Sequence, residues 1–130
     1  MMYTLHHIGY LTGDIQSTAR DFCQRFGYAI ESEVVEDKAQ TAFVQFLILP
    51  PHRIELISPN GSGKLTNALQ KKVTLHHLCY EVDDINAALR EQRPYALPIS
   101  SPTPAPAFSG NKIAWLMDAN GFLIELVERA

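Results

Sequence analysis

Two histidines and two glutamates occupy matching places in the two halves of this chain. Glu55 follows His7 by 48 residues, and Glu125 follows His77 by the same 48. Imidazole and carboxylate together suit a divalent ion such as Zn, Co, Ni, Fe or Mn. Four protein ligands in octahedral geometry leave two positions for water or substrate, and open positions distinguish a catalytic centre from a closed structural one. The surroundings of these residues are also repeated. Leu5-His6-His7-Ile8-Gly9-Tyr10 returns as Leu75-His76-His77-Leu78-Cys79-Tyr80, Asp14-Ile15 as Asp84-Ile85, and Arg20 as Arg90. Ile54-Glu55-Leu56-Ile57 returns as Ile124-Glu125-Leu126-Val127. An internal duplication that carries a His and a Glu in each copy points to one site built from both halves.

All four residues fall in segments that read as strands. Side chains alternate along a strand, so His6 and His7 face opposite ways, as do His76 and His77. Only one histidine of each pair can enter a given site, and register alone does not choose between them. A carboxylate flanked by apolar residues is costly to bury unless it is paired or metal-bound. Two such carboxylates brought together would repel without a cation. The competing reading makes the histidines ordinary core residues, and the repeated His-to-Glu spacing weighs against it.

The elements that would hold these residues follow from hydrophobic period and turn signals. Tyr3 to Leu11 reads as a strand, and Asp14 caps a helix running to about Phe26, where Gly27 stops it. Tyr28 to Val35 is the next strand, Glu36-Asp37-Lys38 a polar turn, Thr41 to Leu49 a strand, and His52 to Ser58 another. Residues 59–63 form a loop, and Lys64 to Lys71 one or two helical turns. Val73 to Val82 is a strand. Asp83 or Asp84 caps a helix that ends near Gln92, before Pro94. Tyr95 to Ile99 is a strand, and the proline-rich stretch after it is a loop or an edge strand. Lys112 to Met117 and Phe122 to Val127 are strands joined at Asn120-Gly121. The order is βαβββ, written twice.

Composition bounds the function. With 130 residues, 46% of them apolar and 19% charged, the chain reads as one globular domain, residues 1–130. Its modules span about 3–58 and 73–129, with a linker at 59–72. A net charge of -3 gives no broad cationic footprint for nucleic acid. No run approaches the ~18 apolar residues of a membrane span, and Met1 to Gly9 lacks a secretory apolar core, so the expectation is a cytoplasmic protein. Cys23 and Cys79 read as two buried, reduced thiols.

These residues together resemble the vicinal oxygen chelate superfamily, which includes glyoxalase I, extradiol dioxygenases, bleomycin-binding proteins and methylmalonyl-CoA epimerase. Leu75 to Ile85, with Leu-His-His-Leu-Cys-Tyr at its head, is similar to the second-half signature of the epimerase-like branch. So is the connector before it, Lys64 to Lys72. Asn120-Gly121-Phe122-Leu123-Ile124-Glu125-Leu126 resembles the closing segment shared across the superfamily. The resemblance covers nearly the whole chain. It implies an α+β fold of two tandem βαβββ modules forming one open, curled sheet around a central metal site. It also implies that the metal ligands are His7, Glu55, His77 and Glu125, holding one divalent ion such as Zn, Co, Ni or Mn. Glu55 stands where many epimerases carry Gln, and matches the glyoxalase I pattern instead.

The activity implied is an epimerase or lyase that stabilises an enolate or enediolate of a small carbonyl compound or a CoA thioester. In an epimerase a base removes the proton alpha to the thioester and an acid returns it on the other face. The resemblance assigns this partly to a carboxylate outside or beside the metal shell, for which Glu33 is a candidate. Glu36 and Asp37 lie nearby but read as a solvated turn. In a glyoxalase I-like mechanism Glu55 or Glu125 itself serves as base. The alternative from another class is a non-catalytic antibiotic- or small-molecule-binding protein of the same fold, and retention of all four ligand types argues against it. Partners reduce to a small-molecule substrate, with no nucleic acid or membrane, and duplicated modules can pair within one chain or across a homodimer. Tyr10 and Tyr80 should pack against helices. Gln45, Trp115, the Phe108–Lys112 segment and Lys64, Lys71 and Lys72 are weaker candidates for lining a pocket or attracting phosphate.

Overall fold

The computed structural model describes residues 2–130. The fold is α+β, with a mixed sheet and, among the described residues, three α-helices. Two compact units divide it: residues 7–76 form the first, and the residues before His7 join 77–130 to form the second. β1 (Thr4–Leu11) contributes its beginning to the second unit and its remainder to the first.

The first unit continues with α1 (Ile15–Phe26), β2 (Ala29–Ile30), β3 (Val35–Asp37), β4 (Ala42–Leu49), β5 (His52–Pro59) and α2 (Lys64–Gln70). Its strands run in the order β2-β4-β5-β1, with β3 also on β4, and β1 lies parallel to β5. β6 (Leu75–Val82) begins at the end of the first unit and continues in the second, which also holds α3 (Ile85–Gln92), β7 (Ala96–Pro98), β8 (Thr103–Pro104), β9 (Lys112–Asp118) and β10 (Leu123–Glu128). Its order is β6-β10-β9-β7, with β8 also on β9, and β6 lies parallel to β10. Each half therefore keeps the βαβββ plan, with two short strands (β2 and β3, β7 and β8) where one was expected after the helix.

Local chemistry explains the boundaries. Asp14 accepts from the Ser17 amide at 3.1 Å and Asp84 from the Ala87 amide at 3.0 Å, so α1 and α3 each open on an aspartate cap. Gly27 closes α1 at φ +82°, a left-handed conformation that glycine adopts without a steric penalty. Asp118 Oδ1 accepts from the amides of Asn120 and Phe122 and so shapes the β9–β10 turn. α1 and α3 each pack over their own sheet segment. Ile15 and Ala19 meet Leu47 and Leu56, whereas Ile85 and Ala88 meet Leu116 and Leu126.

The segment expected as one strand over Tyr28–Val35 is two short ones, and Glu36-Asp37 belongs to a strand rather than a solvated turn. Between β2 and β3 the chain bulges. The amides of Glu31 and Ser32 both donate to the Phe46 carbonyl, and Ser32 Oγ accepts from the Phe46 amide at 2.9 Å. A side chain thus occupies a ladder position, and pairing resumes at Val35. Asp37 is buried on β3, where its carboxylate accepts from the Gln40 amide and from Gln40 Nε2. Glu36 accepts from Asn60 Nδ2 at 2.8 Å. The proline-rich stretch resolves into the two-residue β8 and a single 3-10 turn over Pro106–Phe108. Neither Cys23 nor Cys79 forms a disulfide, and Cys79 is buried as expected whereas Cys23 is only half-buried. No helix among the described residues is long and apolar enough to cross a membrane.

Candidate functional site

Each unit contains one buried His–Glu pair. In the first, parallel pairing of β1 with β5 sets Gly9 beside Glu55, and His7 lies two residues before Gly9 on the same strand face. His7 Nε2 approaches Glu55 Oε1 to 3.5 Å. In the second, the same register sets Cys79 beside Glu125, and His77 Nε2 approaches Glu125 Oε1 to 3.2 Å. His7 and Glu55 are 1% and 5% exposed, and His77 and Glu125 are 0% and 2% exposed. Such burial is expensive for a carboxylate, and a partner cation or imidazolium offsets it. The sheet register, not proximity in sequence, makes each pair.

An aromatic ring braces each histidine. Phe46 lies across from Glu55 on β4, with its ring 5.3 Å from the His7 ring at 61°. Trp115 lies across from Glu125 on β9, with its ring 4.8 Å from the His77 ring at 81°. Both are edge-on arrangements that fix the imidazole plane. The backbone behind each aromatic is pinned in the same way. Ser32 Oγ accepts from the Phe46 amide, and Ser100 Oγ accepts from the Trp115 amide at 3.0 Å.

Sequence reasoning singled out Trp115 only as pocket wall or core, and missed Phe46 and both serines. The faint signal was an aromatic nine residues before Glu55 and ten before Glu125. A one-residue difference in hairpin length broke the repeat spacing that had exposed the ligands.

The other singled-out residues fall elsewhere. His6 is half-buried and packs its ring edge-on against Phe108, 5.2 Å away. Phe108 also joins Cys79, Ala105, Ile113 and Val127 in an apolar cluster on the strand face that carries His77 and Glu125. Tyr10 and Tyr80 pack on the helix side, as expected. Gln45 is buried and structural, with Nε2 donating to the Ser32 carbonyl at 3.1 Å. Glu33 is exposed in the bulge before β3, and its carbonyl accepts from Ser32 Oγ. Lys64, Lys71, Lys72 and Lys112 are exposed.

His7, Glu55, His77 and Glu125 are a group of the residue types that hold a divalent ion. The profile of the Glyoxalase/Bleomycin resistance protein/Dioxygenase superfamily matches residues 6–127. The chain belongs to this superfamily. Among superfamily relatives, a mitochondrial methylmalonyl-CoA epimerase of Dictyostelium discoideum is 32% identical over 132 residues, which cover 96% of this chain and 78% of that protein. An ethylmalonyl-CoA/methylmalonyl-CoA epimerase of Cereibacter sphaeroides is 30% identical over 132 residues, covering 97% and 98%. The crystal structure of methylmalonyl-CoA epimerase from Mycobacterium tuberculosis has the same fold, with a TM-score of 0.85 at 23% identity over 97% of this chain and 87% of that one. The family and the epimerase-like branch expected from the His-His and Asn-Gly-Phe-Leu-Ile-Glu-Leu segments are thus borne out.

Proposed function

We propose that this protein is a divalent-metal-dependent epimerase acting on a CoA thioester of a 2-substituted malonate, methylmalonyl-CoA above all. The observation that carries this reading is the buried His–Glu pair, set at one register in each unit. One pair supplies two ligands, too few for a stable divalent centre, whereas the duplicated pair supplies four. We therefore assign one ion to His7, Glu55, His77 and Glu125, a donor set that suits Zn, Co, Ni or Mn. Relatives at 32% and 30% identity, both named as epimerases, support the substrate class.

When bound, the ion supplies Lewis acidity toward the oxygens of the substrate, which lowers the cost of losing the proton alpha to the thioester. The chain itself does the rest. His7 and His77 would hold the ion, with their ring planes set by Phe46 and Trp115. Burial of both pairs excludes water, which strengthens each electrostatic contact there. Epimerisation needs a group that takes the alpha proton from one face and a group that returns one to the other. We assign these roles to carboxylates, with Glu55, Glu125 and the exposed Glu33 as the set. Conversion to Ala, one at a time, separates them. A proton-transfer residue loses exchange and keeps metal, whereas a ligand loses both.

Methylmalonyl-CoA incubated in deuterated buffer with metal-loaded protein, followed by proton NMR, tests the reaction. The expected result is loss of the alpha-proton signal and collapse of the methyl doublet at catalytic protein concentration. Folded, metal-loaded protein that exchanges no alpha proton would overturn the proposal. Turnover of a hemithioacetal by the same sample would move the activity to glyoxalase chemistry.

A further inference from the structure

On the helix side of the second unit lies a cavity of about 370 Å³, lined by Tyr3, Tyr80, Tyr95, Gln92, Ala96 and Asp118 over an aliphatic floor. The first unit shows what fills the matching place there. Tyr10 corresponds to Tyr80, each three residues after its buried histidine. Phe22 corresponds to Gln92, each eight residues after its helix-capping aspartate. Register supplies a third correspondence. Ile48 and Met117 stand two residues beyond the bracing aromatics Phe46 and Trp115, and they pair with Ala29 and Leu97 respectively. The residues before those partners, Tyr28 and Ala96, are therefore equivalent. In the first unit Phe22 packs against Tyr10 at 5.2 Å and Tyr28 at 5.6 Å, placing three rings between helix and sheet. In the second unit an amide and a methyl group replace the Phe22 and Tyr28 rings, and the space is open.

The walls specify what can enter. The volume falls in the range of small-molecule sites, about 300–1,000 Å³. The faces of tyrosine rings are electron-rich and attract cations. Asp118 contributes a carboxylate, and among the described residues no Lys or Arg lines the cavity. Tyr3 donates to Glu91 Oε1 and accepts from Gln92 Nε2, both at 3.0 Å. Burial, reinforced by Glu91 and opposed by Gln92, pushes the Tyr3 phenol above its ordinary value, so it stays neutral. An anion would meet the like charge of Asp118, and a purely apolar guest would gain nothing from that charge.

We propose that this cavity binds a small organic cation with an aromatic body, an arylalkylammonium ion whose ring takes the place that Phe22 and Tyr28 fill in the first unit. Its strands β6, β9 and β10 carry His77, Trp115 and Glu125 on their opposite face, so the cavity is a separate site, and its occupancy does not depend on the reaction assigned above.

Phenethylammonium, phenethyl alcohol and phenylacetate, nearly equal in size, distinguish the cases when titrated into the full chain and followed by amide chemical shifts. The ammonium ion should saturate the protein, shift the Tyr80, Gln92 and Ala96 amides, and bind about tenfold tighter than the carboxylate. Gln92→Phe, which restores the first unit's ring, should weaken binding about tenfold or more by filling the cavity. Ala96→Leu does the same from the other side and serves if Gln92→Phe fails to fold. Asp118→Asn keeps an acceptor for the turn and should erase the preference for the cation. Equal binding of all three compounds, no saturable binding at about 10 mM, or undiminished binding to a folded cavity-filled variant would overturn the proposal.

Discussion

The two units of this protein agree on one face of their sheets and diverge on the other. On the face that carries the His–Glu pairs the correspondence is nearly atomic. A parallel register aligns Glu55 with Gly9 and Glu125 with Cys79, an aromatic edge meets each imidazole, and a serine hydroxyl pins each aromatic from behind. On the helix face the first unit is filled by Phe22 and Tyr28, whereas the second has an eight-residue helix and a cavity. A core has many solutions of about the same stability, because volume can be redistributed among apolar side chains. A ligand set has few, because donor type and direction are both fixed. After a duplication, packing can drift while donor geometry cannot.

Several substitutions break or sharpen this contrast. The largest effect belongs to the conserved geometry. Glu55→Ala and Glu125→Ala should each lower kcat/KM for alpha-proton exchange by about 100-fold or more, since disturbing a mere neighbour of a metal ligand already costs about 10–100-fold. The two losses should be of similar size, and steady-state kinetics on the variants checks this. A large loss in one and none in the other would end the equivalence of the halves.

Next comes the divergent face. Phe22→Ala should destabilise the protein by about 2–3 kcal/mol, less than a fully buried ring because Phe22 is only partly covered. Gln92→Ala, at the equivalent place, should cost under about 1 kcal/mol because a cavity is already there. Urea titration of both variants measures the difference. Ser32→Ala and Ser100→Ala should each cost about 1–2 kcal/mol by leaving a backbone donor without its acceptor. Their fall in exchange rate should exceed what their stability predicts if the serines position the bracing aromatics. The smallest effect is shared by both units: Asp14→Ala and Asp84→Ala should each cost about 1 kcal/mol through loss of a helix cap, without altering exchange.

The ligand-bearing face was the legible part of the sequence. His7, Glu55, His77 and Glu125 lie on strands whose lengths match between halves, so one offset exposed them, and the capping aspartates were legible for the same reason. The bulge over residues 31–34 was not, because a serine side chain takes a ladder position there and no hydrophobic period records it. The burial of Asp37 was hidden likewise. Its charge reads as solvent-exposed, and only the turn formed by Gln40 explains how it is satisfied. Phe46 escaped, and Trp115 was not matched to it, because the hairpins behind them differ by one residue. The cavity beside Gln92 is a difference between the repeats, and only the register of β7 on β9 identifies which side chains should have filled it.

The central claim is that two equivalent pairs act as one metal centre. Metal analysis of protein purified without chelator, beside His7→Ala and His77→Ala, tests it most directly. The account predicts about one divalent ion per chain, lost from each single variant although either one leaves the other unit's pair intact. A variant that keeps its ion at undiminished affinity would contradict it, as would a wild-type chain that binds none after reconstitution with Zn, Co, Ni and Mn.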